Sequence, residues 1–65
     1  MASLKYDASS KALYVRIRAG KVAETEPLND SVFMDLDRAG GLLGIEVILP
    51  KELPAEVVKK ITAAA

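Results

Sequence analysis

The chain has 65 residues, which is the size of one small domain, and it contains no cysteine and no histidine. A domain of this size buries only ~60% of the surface that its unfolded chain exposes, so its hydrophobic core is marginal. Small domains compensate with disulfides, structural metal, oligomerisation or unusually good packing. This composition nearly excludes the first two. We therefore expect residues 1–65 to form a single domain that is stabilised by packing or by self-association.

Nine basic residues balance nine acidic ones, giving a formal net charge of zero. A nucleic-acid-binding protein normally carries a basic excess that neutralises phosphates, so we expect no nucleic-acid partner. No apolar run approaches the ~20 residues of a membrane span, and no signal peptide is visible, so we expect no membrane association and a cytoplasmic location. A chain near neutrality also lacks charge repulsion against self-association, which favours protein partners.

Alternating apolar residues predict strands over about residues 3–6, 12–18 and 21–28. Turn residues separate the first two strands, and Ala19-Gly20 is typical of a tight hairpin turn between the second and the third. The third strand is the weakest prediction, because Pro27 cannot donate a backbone hydrogen bond. Pro27 therefore indicates that this strand lies at a sheet edge, contains a bulge or ends its strand pairing early.

Two more alternating segments, about residues 32–37 and 42–49, flank Gly40-Gly41 and predict a β-hairpin. A turn over residues 38–41 would place Leu36 opposite Leu43, Met34 opposite Ile45 and Val32 opposite Val47. Pro54 suits the first turn of a helix over about residues 54–62, and this helix is too short to be stable unless it docks on the sheet. The predicted fold class is α+β: an antiparallel β-meander of four to five strands with one C-terminal helix packed on one face.

The alternation assigns two different faces to this sheet. One is apolar, and we expect the helix to cover it and form the core. This predicted core face consists of Leu13, Val15, Ile17, Val32, Met34, Leu36, Leu43, Ile45 and Val47. The other, which we call the mixed face, combines aromatic, aliphatic and charged side chains and is the candidate interaction surface. It consists of Tyr14, Arg16, Phe33, Asp35, Glu46 and Ile48.

The third strand conflicts with this assignment. A hairpin at Ala19-Gly20 would place Glu24 and Glu26 on the predicted core face, and burying unpaired carboxylates is costly. Three interpretations remain open: a bulge near Thr25 turns both glutamates outward, the strand is a solvated sheet edge, or Glu24 is a partly buried carboxylate that serves a ligand or partner.

No constellation typical of catalysis is found, because nucleophilic sites usually pair a nucleophile with a base such as histidine. We therefore expect a protein that is not an enzyme and that carries no cofactor. The carboxylates of Glu24, Asp35 and Glu46 form a weak candidate site for a ligand or divalent metal. We favour an ion pair between Arg16 and Asp35 over a metal ion. Gly44, inside a strand, indicates a bulge or a close backbone approach.

Several short motifs occur in a fixed order along the chain: Lys5-Tyr6-Asp7, Ala12 to Val15, Val22 to Thr25, Asp35-Leu36-Asp37 and Leu43 to Val47. In this respect the sequence resembles the DUF2283 group, a family of small bacterial and archaeal domains of unknown function. The resemblance covers nearly the whole chain to about Leu49. Ser10, however, stands where an acidic residue often precedes the second strand. The resemblance implies a compact meander with a helix and self-association, and it supplies no activity.

Two functional hypotheses follow. The first is a small protein-interaction module that forms a homodimer, with an antitoxin-like role toward another small protein as a variant suggested by the family resemblance. It would use the mixed face or an exposed strand edge. The alternative is a module that binds a small molecule or a divalent metal through Glu24, Asp35 and Glu46.

Overall fold

The computed structural model describes residues 2–64 and consists of one five-stranded sheet and one helix. The strands are β1 (Ser3–Asp7), β2 (Ala12–Arg16), β3 (Glu24–Pro27), β4 (Val32–Leu36) and β5 (Leu42–Ile48), and the helix is α1 (Ala55–Ala64). Every strand pair is antiparallel. The α+β class, the antiparallel sheet and the C-terminal helix are confirmed.

The strand order is β1-β2-β5-β4-β3, which is not the sequential order of a meander. β5 pairs with both β2 and β4, so β2 and β3 are not neighbours. The expected hairpin at Ala19-Gly20 is therefore wrong. A central strand gains a hydrogen-bonded neighbour on each side, and β5 lies in the longest apolar run of the sequence. That run is better buried in the middle of the sheet than at an edge.

Residues 17–23 form the connection that carries the chain from β2 to the far edge. The amide of Ile17 donates to the carbonyl oxygen of Leu43 (N···O 2.8 Å), and the amide of Ala23 donates to that of Leu36 (2.9 Å). Gly20 lies against the side chain of Leu43, where an added Cβ would come within 2.6 Å of Cδ2. The connection thus passes the ends of β5 and β4 and requires glycine at this close approach.

The turn between β4 and β5 is organised by Asp37. Its Oδ1 accepts the amides of Ala39 (3.0 Å) and Gly41 (2.7 Å), and Gly40 has a φ of 86°, which favours glycine. The expected pairing of Met34 with Ile45 and of Val32 with Val47 is confirmed. The sheet register shifts after Asp35, so that Leu36 lies opposite Leu42 where Leu43 was expected. A β-bulge adds one residue to one strand and produces such a shift.

Cross-strand partners share a face of the sheet, so the register also defines the apolar face of the folded chain. This apolar face consists of Leu4, Leu13, Val15, Val32, Met34, Ile45 and Val47. All seven side chains are half-buried. Ile17 lies outside β2 and is 39% exposed, so its expected place in the core is wrong.

Helix α1 covers only one margin of the apolar face. In the part of the chain that the structure describes, the Cα atoms of α1 come within 8 Å of those of β1 and of no other strand. Leu4 and Tyr6 of β1 are half-buried while their neighbours are exposed, and the amide of Leu53 donates to Tyr6 Oη (3.1 Å). Together with Ile61, Leu4 and Tyr6 line the groove between β1 and α1. The helix therefore packs on the apolar side, at the β1 end of the sheet.

Most of the apolar face consequently remains open. Among the described residues, the buried hydrophobic side chains are Ala12 and Leu43, which are 7% and 2% exposed. The accessible surface is 4843 Å², whereas a compact monomer of 6.9 kDa exposes about 4,000 Å². The radius of gyration is 12.4 Å, and a compact domain of this length has about 11 Å. The fold is thus essentially one layer of sheet.

Strand β3 forms the edge opposite β1, and all four of its residues are exposed. Glu24 and Glu26 lie opposite Leu36 and Met34 and reach water at the rim of the apolar face. Of the three interpretations of these glutamates, the solvated sheet edge is the one that the structure shows. Pro27 ends the strand, as its missing N–H group favours.

Candidate functional site

The mixed face assembles as a continuous surface across β2, β5 and β4. Tyr14, Glu46 and Phe33 form one row of cross-strand neighbours. The next row contains Arg16, Gly44 and Asp35, followed by Thr25 of the edge strand. Ile48 lies opposite Ala12 at the other end. The alternation of side chains alone thus brings all six residues of the predicted interaction surface to one side of the sheet.

Asp35 is the centre of the polar contacts on the mixed face. One carboxylate oxygen accepts the hydroxyl of Tyr14 (2.9 Å), and the other accepts the hydroxyl of Thr25 (2.8 Å). These bonds link β2, β4 and β3 across the central strand. Both oxygens are engaged by uncharged donors of the same chain. The carboxylate therefore stabilises the sheet from one side.

The expected ion pair between Arg16 and Asp35 is wrong. It presumed that β3 lies between β2 and β4, whereas β5 takes that place, and the two oxygens of Asp35 accept the hydroxyls of Tyr14 and Thr25 instead. The guanidinium of Arg16 instead lies over the ring of Tyr14, with Cζ 6.0 Å from the ring centroid. This distance is at the outer limit of a cation–π contact. The Tyr14 ring reaches from Arg16 toward Asp35.

Gly44 makes room for the Tyr14 ring. A Cβ at this position would come within 2.6 Å of Tyr14 Cζ and 3.0 Å of the carbonyl oxygen of Val15. The close backbone approach predicted from a glycine inside a strand is thus confirmed. The aromatic ring occupies the place of the missing side chain, an arrangement that supports glycine in a sheet.

The environment of Tyr14 raises the pKa of its hydroxyl above the ordinary value of 10.0. Desolvation of the ring is the largest cause, followed by the hydrogen bond to Asp35, whose negative charge opposes ionisation. The hydroxyl therefore stays a hydrogen-bond donor at neutral pH.

The three carboxylates of the candidate ligand site are not brought together. Asp35 and Glu46 lie diagonally on the mixed face, while Glu24 pairs with Leu36 and lies on the apolar side of β3. Within residues 2–64 there is no group of three or more acidic, histidine or cysteine side chains that could hold a metal ion.

An ion pair that the sequence analysis missed lies at the end of the hairpin. Arg18 follows β2 and donates to Asp37 in the turn between β4 and β5. This hydrogen bond, followed by the amide of Gly41, lowers the pKa of Asp37 below its ordinary value of 3.8. Since β2 lies next to β5, the two ends meet. The pairing was hidden because the sequence analysis placed β3 at that position.

The apolar face is a second candidate site, and the sequence analysis missed it because it was assigned to the core. Six of its residues belong to strands whose Cα atoms all lie more than 8 Å from those of the described helix: Leu13, Val15, Val32, Met34, Ile45 and Val47. Its rim is charged: the exposed residues Glu24 and Glu26 lie at the β3 side, and the exposed residues Lys59 and Lys60 lie on the helix at the β1 side.

These features define a small α+β domain with a single-layer antiparallel sheet and two unequal faces. The family model described as "Protein of unknown function (DUF2283)" matches residues 3–48, and the chain belongs to this family. The match spans all five strands and ends before the helix. No curated protein and no solved structure matches the chain. In the described part of the chain, no helix has the length and apolar character needed to cross a membrane.

Proposed function

We propose that this protein is a non-catalytic interaction module that self-associates through the apolar face of its sheet. One observation carries the proposal: β1 is the only strand whose Cα atoms lie within 8 Å of the described helix, and the apolar side chains of β2, β4 and β5 are half-buried rather than buried. Contiguous exposed apolar surface with a charged rim is typical of protein interaction sites. Burial of this surface is worth roughly 25 cal/mol per Å² before the costs of association.

The exposed surface is large for a single compact copy. The chain exposes about 800 Å² more than a compact monomer of its mass. A standard protein interface buries about 800 Å² on each partner. The excess is distributed over the chain, including the exposed residues 16–31, so the apolar face accounts for part of it.

The other two surfaces are less suited to self-association. The β3 edge has four residues, of which two are glutamates and one is proline, and these residue types discourage pairing with another strand. On the mixed face, the central polar groups already bond one another through Tyr14, Asp35 and Thr25. The contact surface expected from the sequence was the mixed face or an exposed strand edge. We place it on the apolar face because that face lacks a cover.

The matched substitutions Met34→Asp and Phe33→Asp test this proposal. These neighbours on β4 are both half-buried, and their side chains lie on opposite faces of the sheet. We expect the wild-type chain to be dimeric at micromolar concentration by sedimentation equilibrium. Met34→Asp, which places a charge in the centre of the contact, is expected to give monomers. Phe33→Asp is expected to leave the dimer intact.

Circular dichroism of both variants separates dissociation from unfolding, and Met34→Gln provides a milder change at the same site. A wild-type chain that stays monomeric up to millimolar concentration would overturn the proposal. So would dissociation caused by Phe33→Asp with no effect of Met34→Asp or Met34→Gln, because it would place the contact on the mixed face.

A further inference from the structure

We infer that the second copy lies face to face with the first about a two-fold axis parallel to the strands, so that α1 of each copy lies along β3 of the other. This inference rests on the proposed function and adds the arrangement of the two copies. Three observations carry it: the position of the helix, the charges at the two rims, and the open edge of β3.

The position of the helix limits how two apolar faces can meet. α1 packs on the apolar side at β1, and a helix is about 10 Å across. Two packed sheets also lie about 10 Å apart, so α1 occupies the layer in which the partner's sheet must lie. The partner therefore has to leave the β1 margin free. Its sheet can overlap only the strands beyond it, toward β3.

A symmetric face-to-face dimer has its two-fold axis in the plane between the sheets. An axis perpendicular to the strands would place β1 over β1 of the partner, and the two helices would then collide. An axis parallel to the strands places β3 of one copy beside α1 of the other. In that arrangement β4 and β5 of both copies meet in the centre, where Val32, Met34, Ile45 and Val47 contribute apolar surface.

The charges of the two rims favour the same arrangement. Glu24 and Glu26 are exposed at the β3 rim, and the exposed charges of α1, Glu56, Lys59 and Lys60, are positive in sum. An axis parallel to the strands brings these opposite charges together twice, once at each end of the interface. The perpendicular axis would instead place the glutamates of one copy against those of the other. Complementary charges of this kind set the orientation of partners more than their affinity.

The β3 edge gives a third argument. An open edge strand presents unpaired backbone groups, and proteins protect such edges by charge, proline or a covering element. β3 already contains Glu24, Glu26 and Pro27. The helix of the second copy would complete this protection, because it would run beside the strand in the same layer. The apolar face and the β3 edge are then covered by one contact.

Cysteine cross-linking distinguishes the two arrangements, since the native chain contains no cysteine. We expect an equimolar mixture of Glu26→Cys and Lys60→Cys chains to form a disulfide-linked dimer under mild oxidation. Each variant alone is expected to stay largely uncross-linked. Preferential cross-linking of Glu26→Cys to itself would overturn the inference. In that case a dimer by sedimentation would still support the proposed function, whereas a monomer would contradict both.

Charge reversal provides an independent test. Glu24→Lys combined with Glu26→Lys places like charges at both ends of the interface and is expected to raise the dimer Kd about tenfold. Adding Lys59→Glu and Lys60→Glu in the same chain is expected to restore the wild-type Kd. The effect should fade in 1 M salt, where charges are screened within about 3 Å. An unchanged Kd at low salt in the first variant would overturn the arrangement.

Discussion

The two faces of the sheet are built from alternate residues of the same strands, yet they are stabilised in different ways. On the mixed face, Asp35 holds Tyr14 and Thr25, and the Tyr14 ring fills the space above Gly44. The apolar face has no comparable internal partners, and α1 covers only its β1 margin. A 65-residue chain can satisfy one face of its sheet from within. In the proposed dimer, the second copy covers the other face.

If a second copy covers the apolar face, as we propose, this difference links folding to association. Any contact that forms only in the folded state adds to stability in proportion to the logarithm of partner concentration. Substitutions on the mixed face should therefore cost the same free energy of unfolding at every protein concentration. Substitutions on the apolar face should have a cost that depends on concentration.

The largest effect is expected for Leu43→Ala. Leu43 is 2% exposed, lies against Gly20 and is buried without any partner copy. Truncating the Leu43 side chain to alanine should lower the free energy of unfolding by ~2–5 kcal/mol, measured by urea denaturation. Ile45→Ala, two residues along the same strand, is the matched comparison, because Ile45 is only half-buried in one copy.

We expect the cost of Leu43→Ala to be independent of protein concentration and that of Ile45→Ala to rise with it. Equal, concentration-independent costs at both positions would show that the two residues share one core. The contrast between the faces would then have to be abandoned.

A smaller effect is expected for Gly44→Ala on the mixed face. The added Cβ would meet the ring of Tyr14 and the carbonyl oxygen of Val15, and such overpacking costs ~1–3 kcal/mol. The second substitution Tyr14→Ala should recover part of this cost, so a double-mutant cycle by thermal denaturation measures the contact. Strict additivity of the two substitutions would contradict the contact of Tyr14 with Gly44.

Much of this fold follows from local patterns in the sequence. The hairpin of β4 and β5, its glycine-containing turn and the helix after Pro54 depend on neighbouring residues, which the alternation and turn chemistry describe directly. The side of the sheet on which Tyr14, Asp35 and Glu46 lie follows from the same alternation. The residues of the mixed face were therefore predictable, although the hydrogen bonds between their side chains were not.

The strand order depends on contacts between residues distant in the sequence, which alternation does not specify. Two signals were nevertheless present. The conflict of Glu24 and Glu26 with an apolar face argued against a hairpin at Gly20, and the apolar run of β5 suited a central strand. The open apolar face could not be predicted, because the reach of α1 over the sheet is set by where Leu53 and Tyr6 meet.

The substitution Asp35→Asn tests the hydrogen bonds at the centre of the mixed face. Loss of the charge weakens the bonds from Tyr14 and Thr25, and the free energy of unfolding should fall by ~1–3 kcal/mol. The pKa of Tyr14 should also fall toward 10.0, because the negative charge that opposes its ionisation is removed. Ultraviolet titration in a Tyr6→Phe background observes this tyrosine alone.

Thr25→Val is the control, since it removes one hydrogen bond from Asp35 without changing its charge, and it should leave the Tyr14 pKa almost unchanged. Because the folded pKa of Tyr14 is raised, the unfolded chain loses its proton first as the pH passes 10.0. Stability should therefore fall above that pH. A Tyr14 pKa that does not respond to Asp35→Asn would contradict the bond between them.

The smallest effect is expected at the hairpin end, where Asp37 belongs to neither face. Its pKa is lowered by Arg18 and by the amide of Gly41, so the folded chain holds the ionised carboxylate more strongly than the unfolded chain does. This stabilisation is fully present above the unfolded pKa, near 3.8, and is lost as the pH falls through the lower folded value. Asp37→Asn should remove it.

The stability difference between the wild type and Asp37→Asn should accordingly be constant above about pH 5 and shrink toward lower pH, as measured by urea denaturation across the acid range. Arg18→Gln removes the largest cause of the lowered pKa and should reproduce part of the change. Since the turn lies outside both faces, the profile should be the same for the wild type and for a Met34→Asp monomer. A profile that changes with association would instead place the hairpin end within the contact between copies.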